Sequence, residues 1–343
     1  MHEALLYEKI GDGRVRCSLC AHRCVLAPGK RGLCNVRINR DGTLYTTVYG
    51  RVVSRSVDPI EKKPLSHFLP GTRAYSIATV GCNFTCQFCQ NHSISQYPRE
   101  QDGRVLGEDV SPEAIVFRAR ESGCETIAYT YTEPTIFFEY AFDIARLAHE
   151  EGLRNVFVSN GYMTPEAADM IIPYLDGINI DLKGISNDFY RDFVGGDLRP
   201  VLKSIERFSR AGVWTEVTTL LIPGLNDSTD ELRWTAEAIY GISPLIPWHI
   251  SRFFPAYRMT DVPPTPLDKL TEAERIGREV GLRYVYVGNA PGQGEDTRCP
   301  ECGKVLIRRR GYLMRENLLQ DGHCPECGAK IDGVWLDAES GDQ

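Results

Sequence analysis

The chain has 343 residues, 42% hydrophobic and 25% charged, a balance that excludes a disordered, collagen-like or coiled-coil protein. Acidic residues outnumber basic ones 46 to 39, for a formal charge of −7, so any nucleic-acid contact would depend on a local basic patch rather than on the field of the whole molecule. No apolar run approaches the roughly 18–20 residues of a membrane span, and the opening MHEALLYEKIGDGRVRC lacks the basic-then-apolar order of a secretory leader; a cytoplasmic location and no membrane partner are expected.

Two or three domains suit this length. Residues 1–74 read as an N-terminal Cys-rich β cap, in which TLYTTVYGRVVSRSV suggests a hairpin turning at Gly50. A proline-punctuated link, DPIEKKPLSHFLPG, leads into residues 75–291. There, seven β-branched or aromatic runs predict strands at 75–80, 126–131, 155–159, 177–182, 214–222, 247–254 and 283–288. Helices fall between them. Ser111-Pro112 and Thr164-Pro165 have the form of N-cap plus first turn. Val201, Ile205 and Phe208 recur at helical spacing before Gly212, and Gly152 and Gly281 follow helices starting near Thr135 and Leu267. Repeated βα units predict an α/β fold with a parallel sheet, a partial (β/α)6-type TIM-like barrel, with a doubly wound sheet as the competing topology. Residues 298–331 form a third, knuckle-bearing piece, and the tail DAESGDQ is expected to fray.

Twelve cysteines are the unusual feature, and eleven fall into three groups. Cys82, Cys86 and Cys89 form CxxxCxxC on a loop directly after the first strand of the central region. Three thiolates do not close a structural zinc site, but they hold three irons of a [4Fe-4S] cube and leave the fourth open. A catalytic zinc with three cysteines is the rival reading. Phe84 and Phe88, between the cysteines, either shield such a cluster or simply anchor the loop. Cys299, Cys302, Cys324 and Cys327 form two CPECG knuckles, each with a glycine after its second cysteine, a zinc-ribbon signal. Cys17, Cys20, Cys24 and Cys34 supply four more thiolates for zinc or for a second iron–sulfur cluster, with zinc preferred for so small a module and His22 able to replace one ligand. Cys124 stands alone and reads as a small buried apolar residue.

The segment SIATVGCNFTCQFCQN resembles the radical S-adenosylmethionine (SAM) superfamily, and the likeness continues at later strand ends. Thr130–Pro134 reads TYTEP where that family usually has Gly-Gly-Glu-Pro, so Tyr131 and Thr132 replace two glycines. Ser159-Asn160-Gly161, Asp181-Leu182-Lys183 and LIPGLNDS follow the third, fourth and fifth strands. Within the superfamily, CSLCAHRC…GLCNVR and DPIEKKPLSHF look like the AmmeMemoRadiSam-system proteins, which are similar to pyruvate formate-lyase activating enzymes. The resemblance implies a [4Fe-4S] cluster on Cys82, Cys86 and Cys89, reductive cleavage of SAM to a 5′-deoxyadenosyl radical, and hydrogen abstraction from a substrate, with a protein glycine as the candidate that the activating enzymes suggest. It places Glu133 against the amino group of SAM, and Asn160, Asp181 and Lys183 against its carboxylate or ribose. Gly224 and Asn226 would lie near the adenine. A reductant such as ferredoxin or flavodoxin is implied. His249 and Arg252 on the sixth strand are weaker substrate-side candidates.

Two alternatives stay open: a zinc-ribbon adaptor that binds protein or nucleic acid through Arg308, Arg309 and Arg310, and radical modification of RNA. The ring of polar strand-end residues favours the enzyme, because an adaptor has no use for them around one mouth.

Overall fold

A computed structural model describes residues 1–290, 292 and 294–336; the tail DAESGDQ lies outside the described residues. In the cap, β1 (Arg37–Arg40) and β2 (Thr43–Thr46) form a hairpin in which Arg40 faces Thr43 across Asp41-Gly42. Both turn residues have positive φ, +52° and +84°, the geometry that matches the twist of two antiparallel strands and favours Asp-Gly. The hairpin expected at Gly50 does not form. Arg51–Val52 pairs instead with Glu108–Asp109, and β3 (Ser54–Pro59) pairs antiparallel with β4 (Arg73–Ala78). The Asp41-Gly42 dipeptide, rather than Gly50, was the stronger turn signal.

The central sheet continues from β4 through β5 (Thr126–Tyr129), β6 (Arg154–Ser159), β7 (Gly177–Asp181), β8 (Trp214–Leu221), β9 (Trp248–Arg252) and β10 (Val285–Gly288). These seven strands are parallel, and each lies beside its neighbour in sequence. All seven strands read from the sequence are present. The order never reverses, as it would in a doubly wound sheet. Among the described residues β10 and β3 are edges that do not pair with each other, so the sheet is open.

Between the strands run α1 (Pro112–Glu121), α2 (Phe138–Glu150), α3 (Pro165–Ile171), α4 (Leu198–Arg210), α5 (Thr229–Ile242) and α6 (Leu267–Val280). Ser111 and Thr164 cap α1 and α3 by accepting the backbone N–H groups of Ala114 and Ala167, which satisfies donors a helix start leaves unpaired. Ile144, Ile171, Ile205, Ile239 and Ile276 of the helices join Ile127, Ile178, Val217 and Ile250 of the strands in one buried core. Strands covered on both faces read as near-continuous apolar runs, which is why they were legible in the sequence. Among the described residues, no helix is long and apolar enough to cross a membrane.

The linker after β3 closes the amino end of the sheet. Ile60, Leu65, Phe68 and Leu69 pack against Ala74, Ala128 and Val156. A Cβ on Gly177 would lie 3.0 Å from the Phe68 ring, so glycine there admits the plug. A small sheet of β11 (Thr297–Arg298), β12 (Val305–Arg310) and β13 (Leu313–Asn317) carries the C-terminal cysteine knuckles. It docks beside β10, where Leu306, Ile307 and Ile331 share a cluster with Tyr284 and Tyr286. The opposite, carboxyl end of the parallel strands carries the Cys82–Cys89 loop, and the cap reaches it through Ser18–His22.

Candidate functional site

The loop of Cys82, Cys86 and Cys89 leaves β4 at that carboxyl end. A π-helical turn at Tyr190–Val194 fixes its path: Thr85 N–H donates to the Val194 carbonyl at 2.8 Å and Gln87 N–H to that of Phe193 at 3.0 Å. Phe84 and Phe88 are buried. Phe84 packs against Tyr162 and Tyr190, and Phe88 lies 6.0 Å from Phe189. Both rings therefore anchor the loop. Gly196 touches Phe84 so closely that an added Cβ would fall 2.4 Å from the ring, so no larger residue fits there.

The sulfur atoms sit among polar groups. Phe84 N–H lies 3.3 Å and Asn160 Nδ2 3.8 Å from Cys82 Sγ, and Cys89 Sγ lies 3.2 Å from Ser95 Oγ. Burial pushes the Cys86 thiol up to about 12, with Lys183 pulling the other way; burial and the Glu133 charge raise Cys82 as well. Thiolates so desolvated need a cation beside them. Asn83 Nδ2 is buried without a partner next to Cys82, a donor left for a group the protein does not supply. Three converging thiols, an orphaned amide donor and a neighbouring lysine fit an anionic iron–sulfur cluster.

The strand-end residues meet around this loop. Glu133, after β5, is buried: its Oε1 accepts Thr135 N–H, Thr135 Oγ1 and Ser159 Oγ, and its Oε2 accepts Asn160 N–H at 2.7 Å. Burial raises its pKa despite these donors. Its carboxylate thus braces two neighbouring strand ends and keeps one free acceptor position, on Oε2. Asn160 Nδ2 donates to Asn83 Oδ1 at 2.7 Å, beside Cys82. Asp181 ends β7, and Lys183 Nζ lies 2.7 Å from its Oδ2. Burial opposes charge on Lys183, yet Asp181 and the Cys86 and Cys89 thiolates hold its pKa above the ordinary lysine value.

Tyr131 occupies the first position of the replaced glycine pair and adopts the left-handed conformation, φ +63°. A non-glycine residue there is strained and must be held. Its phenol donates to Asp58, and buried Lys63 lies 4.6 Å from its ring centroid while donating to the same Asp58 at 2.7 Å. Asn91 Nδ2 donates to its carbonyl at 2.8 Å. The strand end therefore keeps a left-handed, glycine-like φ without the glycine.

Other expected residues are placed differently. Asn226 is a brace: its amide reaches the Lys183 and Leu220 carbonyls and its Oδ1 accepts Ile222 N–H. Gly224 forms a tight turn with Asp227. His249 lies in the amino half of β9, 2.6 Å from the buried Glu216 carboxylate and stacked on Tyr286, so it does not face the cysteine mouth. Arg252 ends β9 and donates to the Thr265 carbonyl. Arg309 is buried, donating to the Ser66 carbonyl at 2.7 Å and to Thr297 Oγ1 at 2.8 Å, and Arg308 pairs with Glu316. The triple-arginine run is thus not one exposed patch. Cys124 is buried, as expected. A cavity of about 780 Å³ between α3 and α4, lined in part by Arg23, Asp169, Arg199 and Lys203, holds none of the thiol groups.

The flanking thiol sets differ in width. In the C-terminal set, Cys299 and Cys327 sulfurs are 3.6 Å apart, Cys302 and Cys324 3.7 Å, and all four lie within 4.8 Å of one another. Among the described residues this is the set of three or more ligand atoms so close; neither Cys82, Cys86 and Cys89 nor Cys17, Cys20, Cys24 and Cys34 reach that spacing.

Residues 76–235 match the family described as the radical SAM superfamily. The chain is 42% identical to an uncharacterized protein of Methanocaldococcus jannaschii, over 97% of this chain and 100% of that one. It is 23% identical to a pyruvate formate-lyase-activating enzyme of Streptococcus mutans, over 60% of this chain and 85% of the relative. A solved radical SAM methyltransferase from Sphaerobacter thermophilus has TM-score 0.50 and 19% identity, covering 65% of this chain and 68% of that chain, a likeness of fold alone.

Proposed function

The chain belongs to the radical SAM superfamily, and from that premise we propose that it is an enzyme whose Cys82, Cys86 and Cys89 hold a [4Fe-4S] cluster with one iron open to SAM. When bound, the cluster and SAM supply one-electron cleavage of a sulfonium C–S bond, giving methionine and a 5′-deoxyadenosyl radical that takes a hydrogen atom from the substrate. The observation that carries this reading is the meeting of three thiols, Cys86 buried and Cys82 and Cys89 half-buried, with Lys183, Asp181 and Asn160 at the carboxyl end of one parallel sheet. A catalytic zinc would draw its three sulfurs to single-ion spacing, which they do not have.

In this reading Lys183 pairs with the methionine carboxylate, and Asp181 orients the ammonium. Asn160 offers its amide beside Cys82. Glu133 sets the Asn160 backbone and turns its open Oε2 position toward the methionine amino group. The open, singly wound sheet is read as a partial barrel, and the four close C-terminal thiols as a structural zinc site, since a tetrahedral ion ~2.3 Å from each sulfur spaces them ~3.8 Å apart.

For the substrate we favour a residue of a partner protein, a glycine in the manner of glycyl-radical-enzyme activation, with a ferredoxin or flavodoxin as electron donor. The support is the similarity that spans most of an activating enzyme. Oxygen-free reconstitution with iron and sulfide, followed by dithionite and SAM, is expected to release methionine and 5′-deoxyadenosine, and Cys86→Ala to release neither. Colourless protein, or no nucleoside product from coloured protein, would defeat the reading.

A further inference from the structure

By spacing, the three thiol sets fall into two kinds among the described residues: one within 4.8 Å and two outside it. The C-terminal sulfurs close to 3.6 and 3.7 Å, the edge of a tetrahedron around one ion. The central set, on which family membership puts a polynuclear cluster, is wider, as thiolates that would each hold a different iron require. The N-terminal set behaves like the central one: among the described residues no three of the Cys17, Cys20, Cys24 and Cys34 sulfurs lie within 4.8 Å of one another.

These four cysteines nevertheless lie on one compact loop: Cys17 N–H donates to the Cys24 carbonyl at 2.9 Å, and a turn from Cys20 to Arg23 closes at 3.0 Å between them. Gly32 lines the space between them; a Cβ there would lie 3.7 Å from Cys34 Sγ and 3.9 Å from Cys24 Sγ. The buried Arg37 guanidinium, ion-paired on its other side with buried Glu139, reaches within 3.7 Å of Cys17 Sγ, a hydrogen-bond donor beside what would be an anionic centre.

The same loop touches the central site. Cys20 bridges to Met163, Ala21 N–H donates to the Tyr162 carbonyl at 3.1 Å, and His22 Nε2 lies 2.9 Å from the Asn83 carbonyl oxygen. Asn83 is the residue after Cys82. A continuous path therefore runs from Cys20 through His22 and Asn83 to the central thiols.

We propose that Cys17, Cys20, Cys24 and Cys34 ligate a second [4Fe-4S] cluster, closed on all four irons, rather than zinc. A one-electron donor protein of the iron–sulfur or flavin class reduces it by one electron, and that electron passes to the central site. The metal assignment stands on its own; the relay rests on the function proposed above.

The test is elemental analysis of oxygen-free reconstituted protein, with paramagnetic resonance after dithionite. Two complete clusters and one ribbon zinc give about eight irons and one zinc per chain. The triple variant Cys82→Ala, Cys86→Ala, Cys89→Ala is expected to keep about four irons and a cluster resonance. About four irons and two zincs in the unaltered chain would overturn the second cluster while leaving the central one in place. A triple variant that keeps its iron, beside an unaltered chain that does not cleave SAM, would instead defeat the proposed function and leave this inference standing. For the relay, Cys24→Ser is expected to lose SAM cleavage driven by reduced flavodoxin and keep cleavage driven by dithionite. Retention of both, or loss of both with about four irons still bound, would overturn it.

Discussion

Glu133 accepts the Asn160 backbone N–H at 2.7 Å, and through that bond the end of β5 fixes the end of β6. Glu133 Oε1 carries three further donors from Thr135 and Ser159. Replacing the carboxylate by an amide sets one NH₂ group against an N–H donor. Glu133→Gln is therefore expected to cost about 1–3 kcal/mol, the penalty of a buried donor left unpaired. Thermal unfolding of the reconstituted protein measures this, and a variant as stable as the parent would show that the brace is dispensable.

Lys183 has a different task. Its ammonium is kept charged by Asp181 and by two thiolates, yet only one of its three donors is committed, to Asp181. Lys183→Met should leave iron content unchanged and weaken SAM binding by about 1.5–3 kcal/mol, roughly 10- to 150-fold, the worth of a hydrogen bond to a charged group. Titration of the cluster resonance with SAM reads the affinity directly. Unaltered affinity would remove Lys183 from the cofactor site.

How much of this was legible follows from the range of the interactions. Strands, helix caps and CxxxCxxC depend on neighbours in sequence, so periodicity and spacing revealed them. His249 could not be assigned that way: its partner Glu216 lies 33 positions away. Nor could Arg309, whose burial depends on Ser66, 243 positions away. Tyr131 looked like a departure from a glycine pattern because the sequence does not display Asp58 and Lys63 folding over it. Asn83 sits between Cys82 and Cys86, and an asparagine beside a metal loop is the signal the sequence offers for it. The cap hairpin depends on neighbours in sequence alone, and Asp41-Gly42 displays it.

Arg309 separates the enzyme from the adaptor reading. It is buried, with its Nε 3.5 Å from Glu61 Oε1, whereas Arg308 and Arg310 are exposed. Arg309→Ala strands a buried carboxylate and is expected to cost about 3–5 kcal/mol. The double variant Arg308→Ala, Arg310→Ala should change stability by less than about 0.5 kcal/mol per site. Denaturant midpoints of the two variants test this, and equal small effects would show that Arg309 does not hold the C-terminal sheet.

Tyr131→Phe removes the phenol that holds a left-handed residue in place, while Lys63 and Asp58 remain paired. The loss is expected at about 1–3 kcal/mol, because Asp58 loses a donor. Burial is the largest influence on Asp58, but the donors Lys62, Lys63 and Tyr131 outweigh it and hold its carboxyl well below the usual carboxylate range. The check is a comparison with Tyr131→Gly, which loses the same bond but relieves the backbone strain of about 1 kcal/mol or more. Glycine should be the less damaging of the two; the reverse order would mean that ring packing outweighs the strain.

His67 makes the junction between linker, sheet and C-terminal segment sensitive to acid. Its Nδ1 lies 2.6 Å from the Asp332 carbonyl and its Nε2 2.5 Å from the Tyr286 hydroxyl. Burial depresses its pKa to about 4 from the ordinary 6.5. The folded protein therefore keeps it neutral over a range in which the unfolded chain binds a proton. Unfolding gains protons between pH 6.5 and about 4, so stability falls as pH drops through that window. Between pH 7.5 and pH 5 the loss from this one residue is about 2 kcal/mol. His67→Gln keeps hydrogen-bonding capacity without the titration, so it should start less stable at pH 7.5 and lose less on acidification. Denaturation midpoints of both proteins at the two pH values give the difference, and equal losses would place the acid sensitivity elsewhere.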